Sequence, residues 1–168
     1  MIGNDVVDIL QSRIESNWQR RGLLQKLFTD DEQLLIKNAK DPEIMLWLLW
    51  SMKEAAYKIY NRQTKIRAYI PKKLTCTLLV NNKDSIMGHV TCYEYSYITK
   101  TTLMDNVIHT VAVTSQNDLQ NITLAEYNDI VKDMDGIPHV YCNKKRGFKD
   151  VSVSHHGDVK KAVTLATY

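Results

Sequence analysis

The strongest constraint on the fold is a run compatible with an α-helix, from about Pro42 to Tyr60, which contains no proline or glycine after Pro42. Asp41 and Pro42 together are typical of a helix start, with an N-cap carboxylate followed by proline in the first turn. Apolar residues fall on nearly every side of the run. A helix that is apolar nearly all round is normally the buried centre of its domain. We therefore predict that the other elements pack around it.

Three charged residues interrupt this apolar helix: Lys53, Glu54 and Lys58. Glu54 and Lys58 are four residues apart, so they project from the same face of a helix. Ionised side chains are rarely fully buried unless they are paired or bind a metal. The pattern alone also allows a plain surface pair whose aliphatic stems pass over the core.

Length and composition set the class of protein. The 168 residues fit one domain with a proper core, which we expect to span residues 1–168. A net charge of +3 suits an anionic ligand or an acidic partner but is too small to indicate nucleic acid. Three widely spaced cysteines without a CxxC pair are typical of a reduced, cytoplasmic protein. The absence of a signal peptide or of a long apolar run favours a soluble protein without membrane contact.

Periodicity and turn residues predict an α+β fold in which helices pack on one antiparallel β-sheet. Gly3, shortly before Asp5 in the opening strand, would allow a close backbone approach or a bend. A capping box, Thr29 with Glu32, is predicted to open a short helix. The predicted helices are Ile14–Phe28, Thr29–Lys40, Pro42–Tyr60 and Leu124–Val131, and the predicted strands are Met1–Leu10, Leu74–Val80, His89–Tyr97, Val107–Ser115, His139–Cys142, Val151–Ser154 and Ala162–Ala166, with a turn at Asn81–Asp84.

Asp5 on the opening strand and Glu54 on the central helix are candidate magnesium ligands. Mg²⁺ in proteins typically takes one or two carboxylates and completes its shell with water and substrate phosphates. Lys58, one helical turn from Glu54, would face the phosphate oxygens. Spacing alone does not establish that Asp5 meets Glu54.

The segment Ser152–Asp158 contains serine and histidine at a strand end, where they could bind phosphate together with backbone N–H groups. A polar turn between two strands explains the same residues equally well. A Ser–His nucleophile is disfavoured because no nucleophile-elbow pattern surrounds it.

Basic residues form a third set, which is usually a solvated surface but could hold phosphate, an acidic protein or nucleic acid. These residues are Lys144, Lys145, Arg146 and Lys149, with Arg13, Arg20 and Arg21 near the front of the chain.

Several short motifs together resemble the phosphopantetheinyl transferase superfamily. Ile2-Gly3-Asn4-Asp5 resembles its I-G-x-D motif, and Trp50–Lys58 matches W-S-x-K-E-A-x-x-K at every fixed position. Leu27–Glu32 fits its F-[ST]-x-x-E segment, and the central part looks most like the surfactin-synthetase-activating type. Gly136-Ile137-Pro138 and Val151–His155 resemble G-K-P and (I/L)-S-H. Their position near the C-terminus is similar to the short holo-acyl-carrier-protein synthase type.

The resemblance implies an enzyme that transfers the phosphopantetheine arm of coenzyme A, its co-substrate, to a serine of an apo acyl or peptidyl carrier protein, releasing 3′,5′-ADP with Mg²⁺ as cofactor. Fatty-acid, polyketide and non-ribosomal-peptide carriers fit equally well. A non-catalytic relative that binds coenzyme A or a carrier is the alternative. Since the long enzymes pair two such units, the resemblance also implies a homo-oligomer, with a trimer favoured.

The resemblance also assigns roles to individual residues. The implied metal ligands are Asp5 and Glu54, the catalytic pair is Glu54 and Lys58, the coenzyme-binding residues are Lys53, Lys58, Ser154 and His155, and the candidates for contact with an acidic carrier are Arg13, Arg20 and Arg21.

Three positions depart from the family pattern. Val7 stands where the long type often has another carboxylate, Asn61–Thr64 replaces a G-x-G turn, and Ile137 replaces the lysine of G-K-P. These departures affect the expected binding of coenzyme A and the choice of substrate more than the expected metal site.

Overall fold

Four α-helices and ten β-strands lie in the residues that the computed structural model describes, 1–82, 85–142 and 146–166. The helices are α1 (Ile9–Glu15), α2 (Leu23–Leu27), α3 (Asp30–Asn38) and α4 (Pro42–Thr64). The strands are β1 (Ile2–Asp8), β2 (Thr75–Asn81), β3 (Ile86–Cys92), β4 (Tyr95–Met104), β5 (Val107–Val113), β6 (Ile122–Leu124), β7 (Ile130–Lys132), β8 (Pro138–Cys142), β9 (Gly147–His156) and β10 (Val159–Leu165).

Helix α4 is the centre of the main core, as predicted. The Asp41 side chain caps it by accepting a hydrogen bond from the Ile44 N–H, and the helix continues to Thr64, beyond the predicted end. Its residues Leu49 and Ala55 are completely buried in the largest apolar cluster, which joins the helix to the first sheet. No helix in the described residues is long and apolar enough to cross a membrane.

The strands form two antiparallel sheets of five strands each rather than the single predicted sheet. The first has the order β1-β5-β4-β3-β2, and the second has the order β6-β10-β9-β8-β7. The α+β class is confirmed. Strand β1 lies at the edge of the first sheet, where it also contacts β9 and β10 of the second.

Gly3 allows β1 to lie directly against α4. A Cβ atom at this position would overlap the carbonyl oxygen of Ala55, so any larger residue would push the strand away from the helix. The close approach predicted from the sequence is therefore confirmed. Asp5, two residues further along β1, is consequently held close to the turn of α4 that carries Glu54.

The predicted basic helix over Ile14–Phe28 is wrong. The Asp8 side chain caps an earlier helix, α1, by accepting hydrogen bonds from the backbone N–H groups of Leu10 and Gln11. Gly22 then adopts a left-handed conformation (φ 84°) and starts the separate helix α2. The predicted capping box at Thr29 and Glu32 is confirmed.

Two further predictions fail because of strand pairing and turns. The segment His89–Tyr97 belongs to two strands, because Tyr93 adopts a left-handed conformation (φ 54°) between β3 and β4. The segment Leu124–Val131 is not a helix: it begins in β6, passes through a 3₁₀ turn at Tyr127–Asp129 and enters β7. Residues 83–84 of the predicted turn, and the basic residues Lys144 and Lys145, lie outside the described part of the chain.

Candidate active site

The open edge of β1 is covered by side chains of β9 rather than by another strand. On its other side β1 pairs with β5 in register. Alternate N–H groups of β1 donate to alternate side chains of β9. The three bonds are Asn4 N–H to Ser152 Oγ (2.8 Å), Val6 N–H to Ser154 Oγ (3.0 Å) and Asp8 N–H to His156 Nδ1 (2.9 Å). This contact fixes β9, and with it the second sheet, against β1.

Asp5 lies at this junction and is only 9% exposed. Its Oδ1 accepts a hydrogen bond from Ser154 Oγ at 3.0 Å and lies 3.8 Å from Lys58 Nζ. Its Oδ2 is buried and has no hydrogen-bond partner among the described residues. Burial raises the pKa of Asp5, while Lys58 and the Ser154 hydroxyl oppose that rise. Asp5 therefore has one hydrogen-bonded oxygen and one buried oxygen without a partner among the described residues.

Lys58 bridges the two sheets from α4. Its Nζ donates to the carbonyl oxygens of Asn4 (2.5 Å) and Val153 (3.1 Å), which belong to β1 and β9. Its side chain is 31% exposed. Burial lowers the pKa of Lys58, and the charges of Asp5 and Glu54 oppose this. The result is a fixed cation beside Asp5.

Burial and neighbouring charges also change the pKa of the Glu54 carboxyl group. Its pKa is raised from 4.5 to about 7, first by burial and then by the charge of Asp5, against the opposing effects of Lys58 and the Tyr69 hydroxyl. A carboxyl group whose ionised form is disfavoured both by burial and by a second carboxylate is typical of catalytic or metal-binding sites.

A cavity of about 330 Å³ opens over these residues, between β1, α1, α4 and β9. Glu54 and Asp5 line it, as do His155 and His156 of β9. Trp47 and Trp50 form part of its wall. One cavity therefore contains two acidic residues of α4 and β1 and two histidines of the last hairpin.

The acidic residues of this cavity fit a divalent cation held by few protein ligands. The described residues contain no group of three or more His, Cys, Asp or Glu side chains placed to hold a metal. Mg²⁺ does not require one, because it commonly uses one or two carboxylates together with water and phosphate oxygens. The unpaired, buried Oδ2 of Asp5 is an oxygen of the kind such an ion takes.

The profile of the 4′-phosphopantetheinyl transferase superfamily (ACPS) matches residues 1–111, about two thirds of the sequence. The chain belongs to that superfamily. The matched segment contains Asp5, Glu54 and Lys58, which come together in the fold: Asp5 and Glu54 line the cavity, and Lys58 lies beside Asp5.

Other comparisons add little to this phosphopantetheinyl transferase assignment. No curated protein sequence matches the chain. Among solved structures, holo-[acyl-carrier-protein] synthase (AcpS) of Thermotoga maritima is similar over 99% of this chain and 83% of its own, with 12% identity and a TM-score of 0.49. At this level of similarity we transfer no residue, ligand or assembly from it.

Lys53 lies apart from the other residues of the family motifs. It is completely buried, with its Nζ 2.7 Å from Glu32 Oε2 and hydrogen-bonded to the carbonyl oxygens of Leu27 and Pro71. Glu32 also caps α3 and accepts from the Cys76 N–H. The placement makes Lys53 a core residue that joins α4 to α3, which does not support the coenzyme-binding role.

Ser154 and His155 separate in the structure. His155 is exposed and lines the cavity, as a coenzyme ligand would. Ser154 is 5% exposed, and its hydroxyl is engaged with Val6 and Asp5. Of the two residues that the resemblance assigned to coenzyme binding, only His155 has an exposed side chain that could contact the coenzyme.

The three arginines also differ. Arg13 is held by Glu43 in an ion pair of 2.7 Å. Arg20 lines a second cavity of about 220 Å³, whose wall includes Trp47 and Trp50 of the first cavity. Arg21 is exposed. Of the basic residues Lys144, Lys145, Arg146 and Lys149, the described part of the chain contains Arg146 and Lys149. These two residues lie near the start of β9, at the opposite end of the strand from Ser154.

The sequence analysis named Ser152 and His156 only as members of a possible phosphate-binding segment, and it missed Tyr69. The contact of Ser152 and His156 with one neighbouring strand could have been found, because Ser152, Ser154 and His156 alternate and therefore face one side of a strand. Tyr69 gave no signal. It reaches Glu54 because the segment after α4 folds back, with the Tyr57 hydroxyl donating to the Arg67 carbonyl oxygen at 2.7 Å.

Proposed function

We propose that this protein transfers the phosphopantetheine arm of coenzyme A to a serine hydroxyl of an apo carrier protein and releases 3′,5′-ADP. The observation that carries the proposal is that Asp5 and Glu54, from two separate family motifs, line one cavity, with Lys58 Nζ 3.8 Å from Asp5 Oδ1. In the transfer, the serine oxygen bonds to the phosphorus that carries pantetheine as the bond from that phosphorus to the leaving 3′,5′-ADP breaks.

Asp5 and Glu54 would hold Mg²⁺, which supplies neutralising charge for the pyrophosphate when bound. Lys58 would stabilise the oxygens of the transferring phosphoryl group with its fixed ammonium. Glu54, or a water that it orients, would take the proton of the serine hydroxyl. His155 would contact the phosphates of the nucleotide end from the exposed side of the cavity.

The carrier protein would dock beside the second cavity. This cavity adjoins the first through Trp47 and Trp50 and combines those apolar walls with Arg20 and Lys26. An acidic carrier would find cations and apolar surface there together. Arg20 is favoured over Arg13 because Glu43 already neutralises the Arg13 guanidinium.

The predicted homo-oligomer, with a trimer favoured, rested on a second copy that completes the coenzyme pocket. In the structure His155 and His156 reach the cavity from the same chain as Asp5 and Glu54. These residues therefore need no second copy, and the oligomer stays a prediction for light scattering to test. A cytoplasmic location is also proposed, in keeping with three widely spaced cysteines without a CxxC pair.

The test is the intact mass of several apo carrier proteins after incubation with the protein, coenzyme A and Mg²⁺. We expect a mass gain of one phosphopantetheine arm on at least one carrier, lost with EDTA and with Asp5→Asn. Binding of coenzyme A without any mass gain would instead indicate the non-catalytic relative. The helical conformation of Asn61–Thr64, where the family usually has a glycine turn, is the feature that makes this second outcome worth testing.

A further inference from the structure

Ser154 lies behind Asp5, not on the cavity wall. We propose that Ser154 is a positioning residue that orients the Asp5 carboxylate toward a bound metal, and that it does not contact coenzyme A. The inference rests on the proposed function, in which Asp5 is a metal ligand. It replaces the role that the family resemblance gave to this serine.

The two hydrogen bonds of Ser154 leave its hydroxyl a single orientation. The oxygen accepts from the Val6 N–H at 3.0 Å, so the hydroxyl proton cannot point in that direction. A serine has one O–H donor, and here it is directed to Asp5 Oδ1 at 3.0 Å. Because the direction of this donor is fixed, its hydrogen bond restricts rotation of the Asp5 carboxylate group.

The two carboxylate oxygens of Asp5 therefore have different environments. Oδ1 takes the Ser154 bond and faces Lys58 at 3.8 Å. Oδ2 is left buried and without a hydrogen-bond partner in the described residues. Outer-sphere hydrogen bonds of this kind commonly orient a metal-binding carboxylate. Without the serine, either oxygen could turn toward Lys58 and the ligand position would be lost for part of the time.

The strand that carries Ser154 is itself fixed. Ser154 pairs with Lys161 in the β9–β10 ladder. Its carbonyl oxygen accepts from the Tyr127 hydroxyl at 3.2 Å. The hydroxyl is therefore presented to Asp5 by a sheet and not by a mobile loop.

Ser152 provides a matched control two residues away. It is 2% exposed, and its hydroxyl accepts from the Asn4 N–H at 2.8 Å, as that of Ser154 does from the Val6 N–H. Among the described contacts it makes none with a carboxylate. Ser152→Ala and Ser154→Ala each remove one side-chain acceptor from the edge of β1, but only Ser154→Ala releases Asp5.

The experiment measures binding of Mn²⁺ alone, from the electron paramagnetic resonance signal of the free ion, without coenzyme or carrier. We expect Ser154→Ala to bind Mn²⁺ on the order of tenfold more weakly than Ser152→Ala. Ser154→Cys, which keeps the volume but has a weak donor, should fall between wild type and Ser154→Ala, and it serves if Ser154→Ala fails to fold. Thermal unfolding of each variant separates loss of the fold from loss of the metal.

The outcomes distinguish this inference from the proposed function. If Asp5→Asn abolishes Mn²⁺ binding but both serine variants bind like wild type, the metal site stands and the positioning role is refuted. If Asp5→Asn binds like wild type, Asp5 is not a ligand and both proposals fall. A higher KM for coenzyme A in Ser154→Ala, with Mn²⁺ affinity unchanged, would return Ser154 to the coenzyme and overturn the inference.

Discussion

The site is expected to reduce the stability of the folded protein at alkaline pH, through Glu54. In the fold the pKa of this carboxyl is raised from 4.5 to about 7, first by burial and then by Asp5. A raised pKa means that the contribution of Glu54 to stability is complete below pH 4.5 and is lost as the pH rises through about 7. Each pKa unit corresponds to about 1.4 kcal/mol, so the full loss is about 3 kcal/mol. Solvent in the open cavity screens part of it.

Glu54→Gln removes the ionisation while keeping the shape of the side chain. Relative to wild type, the variant should gain between about 1 and 3 kcal/mol in free energy of unfolding between pH 5 and pH 8. The measurement is urea unfolding at several pH values in EDTA, followed by tryptophan fluorescence. Glu126→Gln is the control, because it removes a carboxylate from an exposed position.

The reasoning would be refuted by parallel curves, with the same difference between Glu54→Gln and wild type at every pH. Such a result would mean that Glu54 ionises in the fold as easily as in the unfolded chain. A second check follows from the proposed metal. Mg²⁺ should stabilise wild type at pH 8, because it binds only the folded state, and should stabilise Glu54→Gln much less.

Three other substitutions test the placement of residues. Lys53→Met should lower the free energy of unfolding by about 3 to 5 kcal/mol, because it leaves Glu32 charged and unpaired in the core. A stable variant that has lost only coenzyme affinity would contradict the structural role. Gly3→Ala should lower the free energy of unfolding by about 1 to 3 kcal/mol or more and reduce transfer activity, since the strand must move away from the central helix. Unchanged thermal stability would argue against the close contact. Arg20→Ala should raise the KM for the carrier several-fold and leave the KM for coenzyme A unchanged. If Arg13→Ala raised the KM for the carrier by the same factor, the second cavity would not be the docking site.

The features that the sequence predicted correctly depend on local rules. The central helix followed from a long apolar run with a capped start at Asp41, and the capping box at Thr29 from two residues three apart. Gly3 was predicted to allow a close backbone approach or a bend, because glycine within a strand often marks such a site. In each case the information lies within a few residues of the feature that it determines.

Two placements that the sequence did not predict depend on contacts between distant segments. The segment 124–131 has a helix-like start, but Leu124 pairs with Val163 and Ile130 with Val140, so both ends become edge strands of the second sheet. Lys53 and Glu54 are neighbours in a motif, yet successive residues of an α-helix point about 100° apart. One therefore enters the core and the other the cavity, and only the packing of α3 decides which.

The docking of β9 on β1 also sets the order in which the site can come into existence. Asp5 and Ser154 are separated by 149 positions along the chain. At a synthesis rate of about 5 to 20 residues per second, Ser154 is made on the order of ten seconds after Asp5. From the synthesis of Glu54 until that of Ser154, the growing chain carries both motif carboxylates without the hydroxyl that fixes one of them. A nascent chain would therefore gain its oriented metal ligand only when the last hairpin folds onto the first strand.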